Sequence, residues 1–188
     1  MGVRLNVSRR QMFRQAALQA GSVWAMLAQT HSHPSATSSP VGALQFFTPE
    51  QAQEVEAMAA QIIPADDLPG ARETGVIRFI DANLAAFDHD QQPVYVAGLR
   101  ELSDKVKSMF PPASRFSQLE PARQIELLRA IEKTRFFDLV RLHTVMGFFS
   151  NPEYGGNRDR AGWKMIGFED AFVFQPPFGY YDGPQGQE

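Results

Sequence analysis

The sequence predicts an all-α protein: a small helical domain of about four to five helices, followed by an irregular, aromatic-rich carboxyl-terminal segment. Apolar residues recur at helical spacing between residues 48 and 149. Several of these stretches are bounded by prolines or by residues that cap helices. No stretch alternates apolar and polar residues over the length of a strand, so nothing in the chain demands a β-sheet.

The first predicted helix begins after Thr48, which acts as the amino-terminal cap, with Pro49 at the first helical position. Gln51 can complete a capping box with Thr48, in which each side chain bonds the backbone N–H of the other residue. Apolar residues then recur along one helix face, at Val55, Met58, Ala59, Ile62 and Ile63. Pro64 ends the helix because it has no N–H and its ring clashes with the preceding turn.

Three further helical stretches follow along the chain. The second runs from about Gly75 to Phe87, and the third runs from about Pro93 to the Pro111-Pro112 pair. The fourth opens at Glu120-Pro121 and extends to about Phe149, either as one helix or with a break near Thr134. Their predicted inward faces carry Val76, Ile77, Ile80 and Leu84, then Tyr95, Leu99, Leu102, Val106 and Met109, and finally Ile125, Leu128, Ile131, Leu139 and His143.

The chain beyond residue 149 has a different composition. Residues 150–167 are dense in Gly, Asn and Pro and show no periodicity, and residues 168–188 continue in the same irregular way. Residues 136–188 nevertheless contain 12 aromatic residues. An irregular segment with this many rings must bury them, either against its own helices or against a partner.

The amino-terminal stretch has the pattern of an export signal. Residues 1–15 carry four arginines and no acidic residue, and residues 16–49 carry no charged residue at all. A basic stretch before an uncharged, partly apolar one is typical of such signals. The pair Arg9 and Arg10, followed by Phe13, resembles a twin-arginine (Tat) signal.

This pattern defines the predicted organisation of the chain. Residues 1–30 form the export signal, the Ser/Thr/Pro-rich residues 31–45 form a linker, and residues 46–188 form the helical domain. The Tat translocase is therefore an expected partner, and the periplasm is the expected location. The sequence leaves open whether the signal is cleaved.

Composition and motifs exclude several kinds of site. Cysteine is absent, which excludes disulfides, thiolate zinc sites, Cys-ligated iron–sulfur clusters, c-type haem attachment and a cysteine nucleophile. The net charge is −3, and the basic residues near the start leave the rest of the chain more acidic, so there is no electrostatic case for nucleic-acid binding. Glycine-rich nucleotide loops and nucleophile elbows are also absent. We therefore assign no catalytic, cofactor-binding or metal-binding residue.

Two polar features keep alternatives open. His143 lies inside a predicted helix, where it is either a core or interface histidine or a general base that needs a positioned partner. The Asp66-Asp67 pair lies in a loop with Pro and Gly, where it forms either a turn or part of a metal site. For residues in such positions the structural role is the commoner one.

The most unusual string of residues follows the last predicted helix. Two adjacent glycines there permit close backbone approach, and a nearby arginine and large aromatics are the groups that interface hot spots favour. The predicted partner-contact residues are Phe148, Phe149, Tyr154, Gly155, Gly156, Asn157, Arg158 and Trp163. The alternative is a rigid loop that packs on the last helix, and the two interpretations are compatible.

Two segments resemble a known family. Residues 147–171 (GFFSNPEYGGNRDRAGWKMIGFEDA) and residues 46–85, which include an Ile-Pro-Ala-Asp turn, are similar to the gluconate 2-dehydrogenase subunit 3 family. Its members are the small (gamma) subunits of membrane-associated, flavin-dependent sugar and sugar-acid dehydrogenases. The resemblance implies a non-catalytic accessory subunit without a cofactor of its own. It also implies two partners: a large flavoprotein of the glucose–methanol–choline type that carries FAD, and a multihaem cytochrome c.

The resemblance further implies that the small subunit helps the large one to mature and to cross the inner membrane. This fits the Tat-like signal, because that route exports proteins that are already folded. A chain without a cofactor gains from this route if it escorts a partner that folded around its own cofactor. The alternative function is a stand-alone periplasmic enzyme or binding module that uses His143 and nearby carboxylates. Neither interpretation names the sugar that the complex would oxidise.

Overall fold

A computed structural model describes residues 43–171 and 173, so the predicted export signal, most of the linker and most of the aromatic tail lie outside the described residues. Within this part of the chain the all-α prediction is confirmed, since it forms six α-helices and no strand. The helices are α1 (Pro49–Ile62), α2 (Val76–Ala85), α3 (Gln92–Met109), α4 (Pro121–Ile131), α5 (Arg135–Phe149) and α6 (Ala161–Met165). None of them is long and apolar enough to cross a membrane.

The amino terminus of α1 is built as the sequence predicts. The Gln51 N–H donates to the Thr48 hydroxyl at 3.2 Å, and the Thr48 N–H donates to Gln51 Oε1 at 3.0 Å. The helix ends at Ile62, two residues before Pro64. In the loop that follows, the Leu68 N–H donates to Asp66 Oδ1 at 2.9 Å, so the turn interpretation of this aspartate is confirmed.

The predicted fourth helix is two helices, α4 and α5, and the break lies at Thr134. This residue has an extended backbone conformation, with φ −86° and ψ 148°. Its hydroxyl accepts the Phe137 N–H at 3.2 Å and donates to the Ile131 carbonyl at 2.8 Å. Thr134 therefore closes the end of α4 and caps the start of α5, which is why one apolar stretch yields two helices.

The core lies where α1, α2 and α5 pack on one another, with α3 packed on α4 and α5. The largest fully buried side chains in the described residues are Tyr95, Phe116, Phe148, Met58, Ile80, Leu84, Leu102, Leu127, His143, Val55, Val76 and Val106. Two residues predicted to face inward are exposed instead. Ile125 lies beside the buried face of α4, which Gln124, Leu127, Leu128 and Ile131 form, and Met109 is the last residue of α3.

Gly98 allows α3 and α5 to approach closely. A Cβ atom on this residue would lie 2.1 Å from Cγ of Phe136, which is far inside van der Waals contact. Phe136 is itself buried and makes an edge-to-face contact with Tyr95, with ring centroids 5.7 Å apart. Any side chain at position 98 would therefore displace a core aromatic ring.

A buried carboxylate fixes the point where the chain enters the helical domain. Asp81, on α2, is almost fully buried and accepts the backbone N–H groups of Gln45 at 2.6 Å, Phe46 at 3.0 Å and Phe47 at 2.8 Å. We call these four residues the Asp81 clamp. The clamp places Phe47 against Tyr95, with ring centroids 5.6 Å apart. The segment before α1 is thus bound to the core by a charged acceptor and by an aromatic contact.

Candidate functional site

The segment after α5 contains more local structure than its composition predicts. It forms 3₁₀ turns at Pro152–Tyr154 and Arg158–Arg160, and then α6. We call residues 150–168 the carboxyl-terminal loop. Each of these elements is too short for apolar residues to recur at helical spacing. The pattern of apolar residues therefore predicts no helix in this loop.

Asn157 holds this loop together from the inside. It is fully buried, its Nδ2 donates to the Ser150 carbonyl at 2.8 Å, and its Oδ1 accepts the Gly162 N–H at 2.8 Å. Its φ of 48° lies in the left-handed region, which asparagine tolerates better than most residues. One side chain therefore links the start of the loop to the first turn of α6.

Two glycines let the loop lie directly on the backbone of α5. A Cβ atom on Gly156 would lie 2.1 Å from the Gly147 carbonyl oxygen, and one on Gly162 would lie 2.1 Å from the Phe148 carbonyl oxygen. In both cases the obstacle is backbone, which cannot swing aside as a side chain does. A side chain at either position would push the loop away from α5.

The eight predicted partner-contact residues divide by exposure. Trp163 is buried, and its indole N–H donates to the Phe149 carbonyl at 2.7 Å. Tyr154 and Arg158 are exposed, and the Arg158 N–H donates to the Thr74 carbonyl at 3.0 Å. The other buried members are Phe148, Gly156 and Asn157, and the half-buried ones are Phe149 and Gly155. The buried members thus pack within the chain itself. Contact with a partner stays a prediction, and it applies most directly to the exposed residues Tyr154 and Arg158.

The exposed tip of the loop is strained. Asp159 and Arg160 have φ values of 58° and 56°, a region that costs a residue with a Cβ about 1 kcal/mol. Both are exposed, and Arg160 contacts Asp170 at 3.4 Å and lies over the Trp163 ring at 5.7 Å. Strained backbone that is exposed on a rigidly anchored loop is a feature that clusters at functional sites.

Sequence reasoning missed the outward face of α5. Leu142, Val145 and Met146 are exposed there, on the side opposite the buried His143 and Thr144. The sequence does contain a pattern that could have predicted this face, because α5 carries apolar residues on nearly every side. A helix of that composition is normally covered all round, and within the described residues α5 is not.

His143 lies in a network of hydrogen bonds that joins buried side chains to half-buried ones. Its Nδ1 lies 3.0 Å from the Tyr95 hydroxyl, and its Nε2 lies 3.1 Å from Oδ2 of Asp88, which also accepts from Asn83 Nδ2 at 2.7 Å. An ionised carboxylate only accepts, so Nε2 carries the proton and Nδ1 accepts from the tyrosine. Both ring nitrogens are satisfied by the neutral ring.

Burial sets the protonation of this network. Burial lowers the pKa of His143 below its ordinary value of 6.5, and the nearby Asp88 opposes the shift only in part. Burial, with the charge of Asp88, raises the pKa of Tyr95 well above its usual range. His143 is almost fully buried and has no free ring nitrogen, so it is a core histidine and not an accessible base.

His143 makes folding stability depend on pH. Its pKa is lower in the folded state than in the unfolded state, so the stabilisation is complete above pH 6.5 and is lost as the pH falls below that value. We expect the loss to reach at most about 1.4 kcal/mol per pH unit. Urea unfolding at several pH values measures it. The matched variant His143→Gln should be less stable at pH 7 and should lack this component between pH 6.5 and 5.5. An identical pH profile for both proteins would contradict the assignment.

His143 belongs to no metal-binding cluster in the part of the chain that the structure describes. Among the described residues no group of three or more His, Asp and Glu side chains is arranged to hold a metal ion. An open groove of about 830 Å³ lies along α3 and is lined by residues that include Val96, Arg100 and Glu101, but His143 is not among them.

Comparison with known proteins places the chain in a family. Residues 49–170 match the family described as Gluconate 2-dehydrogenase subunit 3. No curated protein and no solved structure matches the chain. The match covers the larger part of the sequence and extends from the first residue of α1 through the whole carboxyl-terminal loop. The chain therefore belongs to the gluconate 2-dehydrogenase subunit 3 family, the small accessory subunits of a dehydrogenase complex.

Proposed function

We propose that this chain is the non-catalytic gamma subunit of a periplasmic, FAD-dependent sugar or sugar-acid dehydrogenase, and that it binds the catalytic flavoprotein. It assists the maturation of that flavoprotein and escorts it through the Tat translocase. A multihaem cytochrome c in the same complex accepts the electrons. The observation that carries the proposal is the combination of family membership with an apolar helix face that the described part of the chain leaves uncovered.

The carboxyl-terminal loop supports the same proposal. It presents Tyr154 and Arg158 to solvent from a backbone that is anchored by Asn157 and Trp163. A loop that is already held in one conformation loses less conformational entropy when it binds a partner. Anchored loops are therefore favourable contact sites. The alternative, a stand-alone enzyme that uses His143, has the weaker support, because the His143 ring is buried and both its nitrogens are occupied.

Co-purification tests the binding part of the proposal. The full chain is tagged, expressed in its native host and recovered from membranes and periplasm under mild conditions. We expect a large partner whose visible spectrum shows bound flavin, together with haem bands from the cytochrome. Recovery of this chain alone, without a chromophore, would contradict the proposal. The substrates oxidised by the recovered complex would then identify the sugar.

The export part of the proposal predicts the effect of changing the arginine pair. Replacing Arg9→Lys and Arg10→Lys together keeps the charge but removes the twin-arginine motif, so dehydrogenase activity should remain in the cytoplasm. Activity in periplasmic and cytoplasmic fractions measures the effect. Arg4→Lys with Arg14→Lys is the matched control, because it changes two arginines outside the pair. Normal periplasmic activity in the Arg9/Arg10 variant would refute the escort role.

A further inference from the structure

We infer that the outward face of α5 is the surface that binds the catalytic flavoprotein subunit. This inference rests on the proposed function and adds the location of the interface. We call Leu142, Val145, Met146 and Phe149 the α5 face. It does not include the buried members of the predicted contact set, such as Asn157 and Trp163, which pack inside the fold.

The α5 face is one continuous stripe. Its four residues are spaced three, four and seven positions apart from Leu142, which places them on one side of a helix. Leu142 is 52% exposed, Val145 is 41% exposed and Met146 is 42% exposed, while Phe149 is half-buried. Contiguous apolar surface of this kind marks an interaction site more often than singly exposed apolar residues do.

Both ends of the stripe continue into features that suit an interface. At one end Asp138 and Arg141 form an exposed ion pair at 3.7 Å, which supplies a polar border. At the other end the indole of Trp163 bonds the Phe149 carbonyl and packs on Phe168, with ring centroids 5.0 Å apart. The exposed apolar residues near this end of α5 are Met165, Ile166 and Phe168. An apolar centre with a polar border is the usual anatomy of a specific protein interface.

The occupant follows from the family of the chain. A small subunit of a dehydrogenase complex must present a surface to another subunit, and the α5 face runs directly into the loop that the family match includes. Other exposed apolar residues lie elsewhere in the fold: Phe87 follows α2, Val96 lies on α3 and Ile125 lies on α4. Val96 borders the groove along α3, among charged side chains. The α5 face is therefore the surface that we assign to the flavoprotein.

Charged substitutions with matched controls test this location. Leu142→Glu is compared with Val96→Glu, since these positions are 52% and 53% exposed within helices. Met146→Lys is compared with Ile125→Lys, since both positions are 42% exposed. The substituted side chains already contact water, so all four variants should fold, and circular dichroism checks this. The first pair of variants adds a negative charge and the second adds a positive charge. A loss of binding with both Leu142→Glu and Met146→Lys therefore cannot be due to one sign of charge alone.

We expect Leu142→Glu and Met146→Lys to reduce the co-purified flavoprotein by at least about 30-fold, since burying an unpaired charge in an interface costs several kcal/mol. Val96→Glu and Ile125→Lys should recover it normally. Normal recovery with all four variants would overturn the inference and leave the proposed function standing. Absence of any flavoprotein partner for the unmodified chain would overturn both.

Two other occupants give distinct results. If the α5 face bound a second copy of this chain, size-exclusion chromatography would show a dimer that Leu142→Glu converts to a monomer. If the chain's own tail covered the α5 face, deleting residues 174–188 would make hydrogen exchange in α5 faster. Binding of the flavoprotein to the intact chain would then leave hydrogen exchange in α5 unchanged. Either result would overturn the inference. Protection of α5 by the flavoprotein, with the tail intact or deleted, would support it.

Discussion

Replacing Asp81 by alanine is expected to lower the free energy of unfolding by about 3 kcal/mol, which is the cost of leaving three backbone donors without their charged acceptor. The Phe47 N–H is the most affected, because that residue is buried and water reaches it poorly. Urea unfolding measures the loss. Hydrogen exchange at residues 45–47 should also become much faster, because the Asp81 clamp no longer holds this segment against α2.

Asp81→Asn separates the charge of this residue from its shape. The asparagine keeps one oxygen, which can still accept from Phe46 and Phe47, but its amide nitrogen faces the Gln45 N–H as a second donor. The loss should therefore lie between zero and that of Asp81→Ala. A loss below about 0.5 kcal/mol in the alanine variant would show that water replaces the carboxylate, and the clamp would not be a stabilising feature.

Replacing Asn157 by alanine is expected to cost about 3 kcal/mol and to loosen the whole carboxyl-terminal loop. The change removes the hydrogen bonds to the Ser150 carbonyl and from the Gly162 N–H, and it leaves a non-glycine residue in the left-handed region. Urea unfolding measures the stability. Hydrogen exchange over residues 150–168 reports whether the loop has separated from α5.

Two controls divide the effect of Asn157→Ala into its causes. Asn157→Gly removes the same hydrogen bonds but relieves the backbone strain, so it should be somewhat more stable than the alanine variant. Asp159→Ala has a similar φ, but its side chain is exposed, so it should cost about 1 kcal/mol or less. Equal losses for Asn157→Ala and Asp159→Ala would contradict the assigned role of the buried amide.

The Asn157 variants also bear on partner binding. Asn157 lies inside the fold, so its loss should weaken co-purification of the flavoprotein by disordering Tyr154 and Arg158. Arg158→Ala should weaken binding without loss of stability, because its guanidinium is exposed and makes one long bond, 3.4 Å, to the Glu73 carbonyl. Comparing the two variants separates positioning of the loop from direct contact.

Local signals determined the helices of this protein. The capping box at Thr48, the prolines and the threonine at the α4–α5 break each act through residues within four positions, so the sequence shows them directly. The family signature is equally local, since residues 147–171 and 46–85 carry it as contiguous strings. Fold class, the approximate positions of α1 to α5 and the family could therefore be predicted from the sequence alone, whereas α6 and the short turns of the carboxyl-terminal loop could not.

The tertiary structure decided which apolar side chains of the helices stay exposed. Ile125 and Leu142 have the same apolar character as their buried neighbours, and exposure depends on which helix lies opposite. The Asp81 clamp joins residues 34 to 36 positions apart, and the His143 network joins residues 48 and 55 positions apart. No local pattern encodes such pairs. Hydrogen bonds and burial at this separation arise only when the helices have packed, because packing removes the competing water.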